Sequence, residues 1–192
     1  MKTFSIYGCL LLLIVVFCSC SGSKKNRKSA EYYQRNKTAI LEMRSLYDSL
    51  YRQQPFSVGF TDKTFTYYVM EVTTDTLRYI YNTEKSEHQL YRTIERFKYD
   101  TAILKRLALR MKEIKCLWLD KSTFYLDEKK DTITFLSFKS VSIETPFVEN
   151  KYYVLLFLHH PLDTPGLRAK VKKGDIVKVD ELVYFGIANR FR

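Results

Sequence analysis

Residues 100–119 read DTAILKRLALRMKEIKCLWL, and the fold class turns on where this stretch changes its period. Ile103, Leu104, Leu107, Met111 and Ile114 recur at three-to-four spacing, which puts them on one face of an α-helix. Asp100 stands just before them and suits an N-cap, where a carboxylate accepts from backbone amides that have no partner inside the helix. At Cys116 the helical spacing stops. Cys116-Leu117-Trp118-Leu119 is a short apolar run of the kind that forms a buried strand. The chain therefore passes from helix to sheet at this point.

Upstream, Leu90, Ile94 and Phe97 form the apolar face of another helix. Ser86 and Gln89 stand at capping-box spacing at its start. Before that the period is two. Phe65, Tyr67 and Val69, then Leu77, Tyr79 and Tyr81, flank Thr73-Thr74-Asp75 and predict a β-hairpin. Residues 30–52 predict a long helix on Tyr33, Ile40, Met43, Tyr47 and Leu50, with a gap around Lys37. Gln54-Pro55 ends it, because the residue before proline is pushed out of the α region.

Downstream, strand runs fall at 116–119, 123–127, 132–143, 151–159 and 176–187. Asp120-Lys121 and residues 127–131 read as turns. Residues 161–173, with Pro165-Gly166 inside, read as the longest irregular segment, and loops of that length often carry function. Gly174-Asp175 turns into the last strand. The expected class is α+β: an N-terminal helix, a β-hairpin, two helices and about five mainly antiparallel strands, with the helices packed on one face of the sheet. The inner order of two strands, helices and three strands resembles that of PAS-like and related extracellular sensor domains, a likeness of fold that hosts many functions.

The first twenty residues, MKTFSIYGCLLLLIVVFCSC, have another character. Lys2 begins a short positive segment, and Ile6 to Phe17 carries no charge. This is the layout of a secretory signal, about twelve apolar residues long and short for a span across ~30 Å of hydrocarbon. Ser19-Cys20, with Ser21 and Gly22 after it, resembles the bacterial lipoprotein signal, in which cleavage occurs just before a cysteine that first receives a diacylglyceryl group. Phe17-Cys18 has a bulky residue where that signal has a small one. The resemblance implies a signal peptide over 1–19, a lipid on Cys20, and a place in the bacterial cell envelope. Ser21, where an aspartate marks inner-membrane retention in some bacteria, resembles outer-membrane sorting. Lys24, Lys25, Arg27 and Lys28 make residues 20–29 a basic tether, expected to be flexible. Positive charge beside an apolar segment also favours cytoplasmic retention, and in that case the domain would stay inside. Residues 30–192 are then a single domain.

With Cys9 and Cys18 in the signal and Cys20 lipidated, Cys116 alone remains, so no internal disulfide is expected. The formal charge of +11 points to acidic partners: an envelope protein, a glycan or anionic lipid. Export removes nucleic acid from that set. Fifteen tyrosines suit half-buried sheet surfaces and interfaces.

The chemistry-bearing motifs are sparse. The sequence contains no HExxH, CxxC, EF-hand loop, GxSxG elbow or phosphate loop, and no metal or cofactor is expected. His159 and His160 are adjacent at a strand end and point to opposite faces, so they do not converge on one ion. Asp127, Glu128 and Asp131 read as a solvated acidic turn. Lys105, Arg106, Arg110 and Lys112 form one basic cluster. Arg168, Lys170, Lys172 and Lys173 form a second, with Arg190 and Arg192 beyond it. The leading expectation is a non-enzymatic binding or accessory module of the envelope, making contact through a tyrosine-rich sheet face and the 161–173 segment. The alternatives are a small-ligand sensor or carrier with a pocket between the sheet and the helices at 86–115, and a hydrolase with a site at His159, His160 and Asp163.

Overall fold

The computed structural model describes residues 4–76, 78–83, 87–126, 129–140, 151–161 and 164–189. Helix α1 runs from Phe4 to Tyr51 without a break. The basic tether of residues 20–29 lies within this helix. It contains no proline and a single glycine, Gly22, so nothing removes a donor or forces the backbone out of the α region. The far end stops before Pro55, as its sequence requires. Tyr33, Ile40, Met43, Tyr47 and Leu50 are all buried on one side of α1.

The gap in that apolar stripe has a partner. Lys37 Nζ lies 2.6 Å from Asp180 Oδ2 in the last hairpin, and the Tyr33 hydroxyl donates to the same oxygen at 2.8 Å. Lys37 first, then the Glu181 backbone amide and Tyr33, hold the Asp180 carboxyl at about 2, below its ordinary 3.8. A carboxyl depressed by folding adds stability that is present above its unfolded pKa and disappears as pH falls through the folded one. Asp180→Asn should therefore lower the urea midpoint at neutral pH. The difference from wild type should close as pH falls from roughly 4 toward 2.

Among the described residues, eight strands form one antiparallel sheet: β1 Phe56–Phe60, β2 Tyr68–Thr73, β3 Arg78–Asn82, β4 Trp118–Leu126, β5 Lys129–Ser140, β6 Tyr152–Leu158, β7 Ile176–Asp180 and β8 Val183–Ala188. Their order is β3-β2-β1-β4-β5-β6-β8-β7. The α+β class holds. Helices α2 (Glu87–Arg96) and α3 (Thr101–Glu113) sit between β3 and β4 in the chain. Ser86 of the expected capping box lies outside the described residues. Asp100 caps α3 as its sequence suggests, accepting from the amides of Ala102 and Ile103 at 2.8 and 3.0 Å. Asp100→Ala should lower stability by about 1 kcal/mol, read from the denaturation midpoint.

Several expectations are corrected. Strand β1 was not foreseen: after Pro55 its five residues are all buried, so alternation gave no signal. Asp120-Lys121 is not a turn but the middle of β4, because Ser57 of β1 donates to Asp120 Oδ1 at 2.5 Å and Ser122 donates to Oδ2. Lys129, Lys130 and Asp131 belong to β5, leaving only 127–128 between the strands, outside the described residues. Residues 141–143 of the expected third strand also lie outside them. The run 176–187 is two strands, turned at Glu181-Leu182.

The segment 161–173 is not an irregular loop. Helix α4 occupies Pro165–Lys173, capped by Thr164, whose hydroxyl accepts from the Leu167 amide, and closed by Gly174 in the left-handed region at φ 77°. Pro165-Gly166 opens a helix because proline's fixed φ and missing N–H fit the first helical position.

The main core lies between α1, α2, α3 and one sheet face, where Leu107, Met111, Leu119, Leu136, Leu155 and Phe157 meet. Not every helix is on that face. Leu156 and Leu158 alternate with Leu155 and Phe157, so they project to the reverse side. There, with Ile176 and Tyr184, they pack against Leu167 of α4. The apolar reverse surface at this end of the sheet needs a cover, and α4 supplies it.

Tyrosine serves the interior more than an exposed array. Tyr33, Tyr47, Tyr99, Tyr153 and Tyr184 are buried. The Tyr47 hydroxyl donates to the Phe56 carbonyl at 2.5 Å and the Tyr32 hydroxyl to the Ile114 carbonyl at 2.6 Å, tying α1 to the start of β1 and to the end of α3. Among the described residues, only Tyr67 and Tyr91 rank as large exposed tyrosines.

Candidate functional site

The same strand alternation that buries Leu119 also places Lys121 on the α1 face of the sheet. Opposite it, Leu41, Arg44, Ser45 and Asp48 form a stripe at three-to-four spacing along α1, beside the apolar stripe that enters the core. Arg52 follows in the turn after the helix. These six residues line an open cleft of about 450 Å³.

Arg44 is the notable member. Its guanidinium lies over the Phe157 ring, 4.5 Å from the centroid, and its enclosed Nε has no hydrogen-bond partner. Burial pushes its pKa down, with Asp48 opposing. Lys121 is held more fully. Its ammonium lies 2.7 Å from Asp48 Oδ1 and 5.1 Å from the centroid of the Tyr51 ring, and the Tyr51 hydroxyl donates to its backbone carbonyl. Three cations thus share the cleft with one carboxylate, and that carboxylate is in contact with Lys121.

His159 adjoins this group from the end of β6. Its Nε2 lies 3.5 Å from Thr134 Oγ1. Its pKa is lowered by burial first and by Lys121 second, while Asp48 and Asp131 pull the other way. It stands beside the cleft and is not one of the residues that line it. His160 is exposed where His159 is part-buried. Asp163, the third member of the suggested hydrolase site, lies outside the described residues.

The basic residues expected to act together are separated. Arg168, Lys170, Lys172 and Lys173 are exposed on α4, on the reverse side of the sheet from the cleft. Arg190 and Arg192 lie outside the described residues. The cluster on α3 is largely engaged: Arg106 and Arg110 both pair with Glu42 of α1, Arg110 also pairs with Glu113, and Lys112 lies over the Phe60 ring. Cys116 is fully buried, and burial pushes its thiol pKa up, so it is an inert core residue.

Arg44, Asp48, Arg52 and Lys121 were not singled out in the sequence. The helical spacing of 41, 44, 45 and 48 was available there, but a polar stripe on a helix ordinarily faces solvent. Only the path of β4 beneath α1 makes it the wall of a cleft. The helices at 86–115 instead contribute Leu90, Ile94, Leu104, Leu107 and Met111 to the continuous core.

Among the described residues, no group of three or more His, Cys, Asp or Glu side chains is placed to hold a metal ion. Among the same residues, no helix is long and apolar enough to cross a membrane. The side chain of Cys20 lies outside what the structure describes. No protein-family model, no curated protein and no solved structure is similar to this chain.

Proposed function

We propose that this chain is an envelope lipoprotein, anchored to a membrane through Cys20, whose folded domain is a binding module rather than an enzyme. The observation that carries the binding role is Arg44, a part-buried cation laid over the Phe157 ring in the wall of a cleft. A cation held partly out of water gains more from an anionic ligand than a fully solvated one does. The cleft lies between α1 and the sheet, which also favours a small-ligand carrier or sensor as the form this module takes. The anchor reading is supported by Ser19-Cys20 after an uncharged run of residues. A diacylglyceryl group carries two acyl chains, enough for stable anchoring, and the basic side chains of 24–28 would add attraction to anionic head groups, about 1 kcal/mol for each at the surface.

The anchor is tested by the mass of the amino-terminal peptide from protein extracted out of membranes, beside Cys20→Ala. A lipid-modified Cys20, absent from the variant together with membrane retention, is the expected result. An intact Met1 terminus would overturn the anchor reading and place the domain behind an uncleaved segment.

A further inference from the structure

We infer that the cleft takes the phosphate group of a small phosphomonoester, with Arg44 as its anchor and Arg52 and Lys121 flanking it. The inference rests on reading the cleft as the binding surface, and it adds the chemistry of the ligand. Arg44, Arg52 and Lys121 carry three positive charges and Asp48 one negative, so the cleft has an excess of two. A phosphomonoester carries about −1.5 to −2 at neutral pH and matches that excess, whereas a carboxylate supplies a single charge. Arginine's planar fork suits phosphate oxygens, and lysine suits them as a point charge. Arg44 is pre-organised for the task, because Phe157 supports the flat face of the guanidinium at 4.5 Å and limits the freedom it would lose on binding. Ser45 adds a hydroxyl, and exposed Leu41 gives the body of the ligand an apolar rim. The volume, about 450 Å³, suits a small molecule.

Asp48 gives the site an internal competitor. It lines the same cleft and holds Lys121 at 2.7 Å. An incoming phosphate must share Lys121 with this carboxylate and bear its repulsion. Removing the charge of Asp48 should therefore tighten phosphate binding, which is the reverse of what removing any of the three cations does.

Full-length protein in detergent, titrated calorimetrically with glycerol 3-phosphate and separately with acetate, tests this. Saturable binding of the phosphate ester and none of acetate is expected. Arg44→Gln should weaken binding at least about tenfold, the loss expected when one charge-assisted contact worth about 1.5–3 kcal/mol is removed. Should Arg44→Gln fail to fold, Arg52→Gln, outside the core, should show a smaller loss. Asp48→Asn should tighten binding several-fold. Lys170→Gln with Lys173→Gln on α4, across the sheet, should leave it unchanged and so separates a built site from the general positive charge of the chain. A second arm distinguishes the source of the phosphate: protein that binds vesicles containing phosphatidate through Arg44 and Arg52, but not soluble glycerol 3-phosphate, takes a lipid head group. Failure to bind in both arms, equal binding of acetate, or loss in the α4 variant with none in Arg44→Gln or Arg52→Gln would overturn the inference. The anchor stands or falls separately, on the mass of the amino-terminal peptide.

Discussion

Gly59→Ala should destabilise the protein by at least about 3 kcal/mol, at or beyond the upper end of ordinary overpacking. A Cβ at this position would lie 2.2 Å from the Leu117 carbonyl oxygen and 2.3 Å from Cε3 of Trp118. Neither neighbour yields cheaply. The Leu117 carbonyl accepts from the Phe60 amide at 2.8 Å, and Trp118 is buried in β4. The contact also sits at a narrow junction. β1 and β4 are joined by two register pairs, Val58↔Leu119 and Gly59↔Trp118, and through them the sheet continues from β3-β2-β1 into the other five strands. Urea denaturation followed by circular dichroism measures the loss, and emission from Trp118, the single tryptophan, reports the junction itself. An unchanged midpoint would mean that the two strands are not in this close approach. For a domain whose whole stability is of order 5–15 kcal/mol, the expected loss is large.

Phe157→Ala is expected to cost about 3–5 kcal/mol, because it empties a fully buried aromatic position. The ring sits in the middle of the main core, 6.2 Å from that of Tyr33 and paired across the sheet with Thr134 and Val183. It also carries Arg44 on its face, so stability and the cleft share this side chain. Phe157→Leu separates the two roles. It keeps most of the apolar volume and should cost less stability, but it removes the π face that supports the guanidinium, a contact worth about 0.5–2 kcal/mol. Under the phosphate reading, the leucine variant should fold and bind glycerol 3-phosphate several-fold more weakly. Full affinity in Phe157→Leu would show that the aromatic support contributes nothing to the site.

Helix ends illustrate one limit of reading local pattern. Helices α2 and α3 are both followed by lysines in the left-handed region, Lys98 at φ 55° and Lys115 at φ 59°, where glycine is the usual residue. After α3, the amide of Cys116 donates to Met111 and that of Lys115 to Lys112, the paired bonds of a Schellman end. Glycine, the sequence cue for this ending, is absent, yet the helix stops here because the next residues are drawn into β4 and the core. Lys115→Gly should therefore raise the denaturation midpoint, by about 1 kcal/mol of stability.

Local pattern alone determined the α+β class, the buried stripe of α1, the N-cap and apolar face of α3, and the hairpin that became β2 and β3. Each depends on side chains a few residues apart, and their spacing reports directly on which face is turned inward. It also marked Lys37 as a break in a buried stripe, though not the reason for it. That reason, Asp180, lies 143 positions away and is supplied by the last hairpin. The cleft belongs to the same category. Arg44 and Asp48 come from one helix, Arg52 from the turn after it, and Lys121 from a strand in which a turn was expected. What brings them together is the pairing order of the sheet and the course of α1 across it, which the burial of Ile40, Met43 and Tyr47 secures. The sequence by itself determined which residues had to be inside; only the tertiary structure decided which charged residues the inside would hold together, because that depends on contacts between segments whose separation along the chain leaves no local trace.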